Sequence, residues 1–207
     1  METNWASDHL QTIRTLMERS TLYRRALAPV MMLSGGIGLA AMVVPLFFVR
    51  IESNPGFSLF WLSIGLFALV VSFLLVRRQA LKAEEPFWSP PTRRVTQALL
   101  PAFLVGLAAG AYHLTRDQPP TAWLLALGWI VVYGCALHAA GFFMQNRMKL
   151  FGWIFILGGC GLLFASSTWP GLRTFQAAHV FMGSFFGALH MACGIFLYFT
   201  ETRKKAT

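Results

Sequence analysis

Four histidines fall within long apolar runs of this chain: His113, His138, His179 and His190. An imidazole at membrane depth has few uses. It can ligate haem iron or a metal, relay a proton, or hydrogen-bond to a neighbouring helix. His113 ends one run and His179 opens another, which puts both near one face of a membrane. His138 and His190 lie toward the opposite face, about 9 and 13 Å in at 1.5 Å per residue. His179 and His190 are 190 − 179 = 11 residues apart, roughly three helical turns, so they share one helix face.

Two tiers of paired histidines on adjoining helices are what two b-type haems require. The candidate pairs are His113 with His179 and His138 with His190. Neutral imidazole is a good axial ligand. The small residues Gly134, Ala139, Gly141, Gly183, Gly187 and Gly194 would leave room for a flat macrocycle. Membrane cytochromes b resemble this arrangement in architecture, although none of their motifs occurs here. The plainer reading is that the imidazoles tie helices together, each bond contributing roughly 0.6 to 2 kcal/mol.

Other chemistries fit less well. All 8 carboxylates and all 17 lysines and arginines lie outside the apolar runs, so no mid-membrane carboxylate is present to couple a transporter to protons or sodium. Ala178-His179 with Gly183 and Gly187 faintly resembles the last helix of a rhomboid protease, but the fourth run has no serine nucleophile. A zinc enzyme needs three or four clustered ligands, and no HExxH or histidine pair at i, i+4 occurs. Cys135, Cys160 and Cys193 all lie inside runs and have neither disulfide nor metal spacing.

The elements that would position these histidines are six transmembrane helices, read over 30–49, 57–76, 95–115, 122–144, 150–168 and 177–199. Each approaches the roughly 20 residues needed to cross the hydrocarbon. The chain is 56% hydrophobic, with a mean hydropathy of +0.58. Its net charge of +9 sorts by side rather than marking a nucleic-acid surface. Arg14, Arg19, Arg24, Arg25, Arg77, Arg78, Lys82, Arg93, Arg94, Arg147, Lys149, Arg203, Lys204 and Lys205 alternate in side with Arg50, Arg116 and Arg173. That asymmetry predicts both termini in the cytoplasm. The basic end would also attract anionic lipid. Trp61, Trp123, Trp153 and Trp169 read as an interfacial aromatic belt. Asn54-Pro55-Gly56 and Asp117-Gln118-Pro119-Pro120 read as external turns, and the segment 84–91 as a stiff loop.

Residues 1–29 form a cytoplasmic segment with an amphipathic helix over 7–27, built on Leu10, Ile13, Leu16, Met17, Tyr23 and Leu27. It suits the membrane interface or a partner protein. Residues 30–199 are the transmembrane domain, and 200–207 a short basic tail. The opening 10–20 (LQTIRTLMERS) with 23–29 (YRRALAP) resembles a group of uncharacterised bacterial six-span proteins that begin with a basic helix. That resemblance implies topology and a bacterial source, and no activity. Ala136-Leu137-His138 in the fourth run is echoed by Ala188-Leu189-His190 in the sixth, as hairpin repeats would be. Glycine clusters at 35–38, 106–110 and 158–161 favour close helix packing.

The expectation is therefore an all-α, six-helix integral membrane bundle with an interfacial N-terminal helix. The leading function is non-enzymatic: interaction, sensing or assembly with a partner. A bis-histidine haem b redox subunit is the first alternative, and a channel or carrier for a small uncharged solute the second.

Overall fold

The computed structural model describes residues 27–82, 84, 86–117, 119–144 and 146–203. Six helices run through them: α1 (Leu27–Phe48), α2 (Asn54–Lys82), α3 (Pro90–Leu114), α4 (Ala122–Ala140), α5 (Asn146–Thr168) and α6 (Phe175–Thr200). All six are long and apolar enough to cross a membrane, and no strand occurs among the described residues. The fold is the all-helical six-span bundle that hydropathy predicts. The amphipathic segment upstream of Leu27, His9 and the last residues from Lys204 lie outside the described residues.

Contacts at the two ends fix the up-and-down order. At one end the start of α2 meets the α3–α4 connection through Asn54, and the start of α6 meets the α1–α2 connection through His179. At the other end, Arg147 of α5 donates to Thr200 Oγ1 of α6 at 2.9 Å. There too α6 crosses the start of α1, where a Cβ on Gly194 would stand 3.1 Å from the Ala28 carbonyl oxygen. Among the described residues, the second end carries Arg77, Arg78, Lys82, Arg93, Arg94, Arg147 and Lys149, and the first only Arg50, Arg116 and Arg173.

Helix starts follow their capping residues. Ser53 Oγ accepts the Gly56 amide at 3.1 Å, so Asn54-Pro55-Gly56 is the first turn of α2 rather than the separate turn its composition suggests. Pro90 and Pro91 likewise open α3, since a missing amide costs nothing in a first turn. Thr174 Oγ1 caps α6 by accepting from the Ala177 amide at 3.1 Å.

The two buried clusters draw mainly on α1, α4, α5 and α6, and α4 contributes to both. The hairpin of α2 and α3 is peripheral: 6% of the most apolar stretch of α2 and 11% of that of α3 is buried, against 44% for α4 and for α6. In lipid there is no hydrophobic drive to pull helices together, so close backbone approach has to supply the packing. α1 and α6 achieve it with glycines. A Cβ on Gly38 would stand 2.6 Å from the Phe186 carbonyl oxygen, one on Gly187 would stand 2.7 Å from the Leu39 amide nitrogen, and one on Gly35 would strike the Met191 backbone. Gly65 on α2, by contrast, has nothing within 4 Å. Gly38→Ala should therefore destabilise the bundle by about 1–3 kcal/mol, because backbone cannot yield as a side chain does. Gly65→Ala should be neutral or slightly stabilising. Thermal unfolding of both variants in one detergent checks the contrast, and equal midpoints would refute it.

Candidate functional site

His190 is the most enclosed polar group of the bundle's basic half, only 3% exposed. α6 changes register just before it: residues Gly183–Leu189 form a π-helical turn, and α-helix resumes at His190. Such bulges redirect the side chains that follow them. The His190 Nδ1 atom lies 3.0 Å from the Phe185 carbonyl oxygen, which only accepts, so Nδ1 carries the proton and donates. Its Nε2 then accepts from the Tyr133 hydroxyl of α4 at 2.9 Å. Phe151, Phe155 and Phe186 complete an aromatic box, with ring centroids 5.3, 5.5 and 6.0 Å from the imidazole.

His179, one helix segment earlier, is equally enclosed and equally satisfied. The Trp61 indole N–H donates to its Nδ1 at 3.0 Å. An Nδ1 that accepts leaves the proton on Nε2, which lies 3.2 Å from the Ile51 carbonyl oxygen and donates to it. Phe57 and Phe60 pack against the ring, with centroids 5.0 and 6.1 Å away. Trp61, read from its type as part of an interfacial belt, is a buried partner of α6 that faces inward.

The other two sequence-predicted histidines differ in kind. His113, at the end of α3, and His138, near the end of α4, each bury an Nδ1 atom that has no hydrogen-bond partner. His138 packs edge-on against Phe142 and Trp153, each 5.4 Å away between centroids, on the α4–α5 face. The structure pairs His179 with Trp61 and His190 with Tyr133. It gives none of the four imidazoles another histidine as a hydrogen-bond partner. A haem iron between His138 and His190 would have to displace the Tyr133 hydroxyl from Nε2, and one at His179 would have to break a bond to Trp61 or Ile51. The sequence echo around His138 and His190 is not repeated in local structure either, since α4 is regular α-helix where α6 is π-helical.

Asn54, Trp61 and Tyr133 are the residues that histidine spacing did not reveal. Tyr133 had a signal of its own: it is the tyrosine at mid-span, whereas Tyr23, Tyr112 and Tyr198 lie toward the ends of their segments. A hydroxyl at that depth needs a partner. Asn54 is 1% exposed and fully used, with two donors and one doubly accepting oxygen engaged by the α3–α4 connection. The three cysteines are free thiols. Among the described residues, no three His, Cys, Asp or Glu side chains converge as a metal site would require. Comparison with known proteins finds no matching family model, no matching curated protein and no matching solved structure.

Proposed function

We propose that the chain is a non-catalytic membrane component that acts by assembling with a partner in the bilayer through its α2–α3 hairpin. The carrying observation is the lopsided burial of the bundle. α2 is a 29-residue helix, yet Leu59, Leu66, Phe67, Leu69, Val70, Phe73 and Leu74 all face outward from it. α3 extends that surface with Leu100, Phe103, Leu104, Val105 and Leu107. Meanwhile the enclosed polar side chains His179, His190 and Asn54 are engaged within the bundle itself and tie α2, α4, α6 and the α1–α2 and α3–α4 connections together. A hairpin anchored at Asn54, Trp61 and Gly106 that leaves a broad apolar face outward suits a helix-packing surface. On this reading the arginine- and lysine-rich end faces the cytoplasm.

The test is site-specific photocrosslinking in native membranes. Probes at Phe67 and Leu104 should give one discrete protein adduct. Probes at Leu157 and Phe164, on the outer face of α5, should give lipid adducts alone. The same pattern from all four positions would sink the hairpin reading.

A further inference from the structure

We propose that the α4–α5 hairpin carries a binding site for one anionic phospholipid, with Lys149 on the phosphate and His138 and Trp153 beneath it. The site is assembled by spacing. Lys149 and Trp153 are four residues apart at the start of α5 and share a helix face, while Phe142 sits in the turn just past α4 and folds back onto His138. The pairs interlock across the hairpin. The Lys149 ammonium lies 3.9 Å from the centre of the Phe142 ring, Phe142 meets His138, and His138 meets Trp153.

Two glycines make this register possible. A Cβ on Gly141 would stand 2.7 Å from Lys149 Cγ, so only a glycine lets the lysine stem lie flat there. A Cβ on Gly152 would stand 2.6 Å from the His138 amide nitrogen, so α5 presses its backbone against α4 at the imidazole. The lysine is therefore held at a fixed height.

The chemistry that results is that of a phosphodiester joined to acyl chains. Among the described residues no carboxylate pairs with Lys149, which leaves its charge open to an anion. One turn deeper, the partly exposed His138 ring floors the site; its Nδ1 is enclosed between the helices without a partner, so a lipid oxygen reaches Trp153 rather than this nitrogen. The half-exposed Trp153 indole N–H likewise has no acceptor among the described residues. Ester oxygens of a glycerolipid lie at that level below a phosphate. Further along the same face of α5, Leu157 and Phe164 are exposed, an apolar stripe for the chains. Arg147 is a cation of the same end that points elsewhere, onto Phe196 and Thr200 of α6.

Native mass spectrometry of the detergent-purified chain, with phosphatidylglycerol or phosphatidylcholine added at equal concentration, tests the site. Wild type should retain phosphatidylglycerol preferentially, and Lys149→Gln should cut that retention about fivefold, as loss of one cation near a headgroup predicts. Arg147→Gln should leave it unchanged, and Lys149→Arg should restore it. Trp153→Leu, which leaves every charge in place, should also lower it. Equal losses in the two glutamine variants would overturn the proposal, because bulk charge would then explain the binding. So would equal retention of both lipids by wild type. Displacement of the lipid by millimolar inorganic phosphate would reassign the site to a free anion and overturn the lipid reading.

Discussion

Asn54→Ala should be among the most damaging single substitutions in this protein, lowering stability by about 3–5 kcal/mol. Its side chain donates to the Asp117 and Pro119 carbonyls at 3.3 and 2.8 Å and accepts from the Thr121 and Ala122 amides at 2.9 and 3.1 Å. Truncation would strand four backbone groups at the edge of the hydrocarbon, where stranded groups are costly. It would also uncap α4, whose first amides have no other side-chain partner at Thr121. Asn54→Asp should be nearly as harmful, because a carboxylate oxygen would replace the amide that donates to two carbonyls. Gln79 on the same helix gives the contrast. Its Oε1 is buried without a partner, so Gln79→Leu should be neutral or stabilising. Unfolding midpoints of the three variants in one detergent decide the matter. A small loss for Asn54→Ala would show that water replaces all four bonds and that Asn54 is no staple.

That asparagine also marks where the sequence could be read and where it could not. The six spans and the distribution of charge are properties of composition, summed over some twenty residues each, and helix formation in lipid leaves the backbone no alternative. Asn54-Pro55-Gly56 looked like a turn because those residue types favour turns. Ser53 converts the same residues into a capped helix start, and the α3–α4 connection then buries Asn54. The histidines show the same division. Their depth follows from counting along each helix, but their facing depends on how helices cross and on a π-turn at Gly183–Leu189 that no periodicity announces. His190 therefore meets Tyr133, five residues before His138, and not His138 itself. Trp61 reads as interfacial by its type, and the packing of α2 on α6 turns it inward onto His179.

The His190–Tyr133 bond leads to the second large effect. His190→Ala should cost about 3–5 kcal/mol, since it opens a cavity among Phe151, Phe155 and Phe186 and strands both the Tyr133 hydroxyl and the Phe185 carbonyl. Tyr133→Phe keeps the ring and removes only the donor, so about 1–2 kcal/mol is expected. His190→Phe fills the box but leaves the tyrosine hydroxyl unpaired. Adding Tyr133→Phe to it should recover stability, because deleting both partners of a buried bond is cheaper than deleting one. Such recovery is the signature of a bond whose purpose is to join α4 to α6. The bis-histidine haem alternative predicts the reverse. Tyr133→Phe would then free Nε2 for iron, and protein from haem-replete cells would gain visible bands that both His190 variants lack. A colourless wild type, with recovery in the double variant, would identify His190 as the lock between α4 and α6. Pigment that depends on His190 would instead make the redox reading the working one.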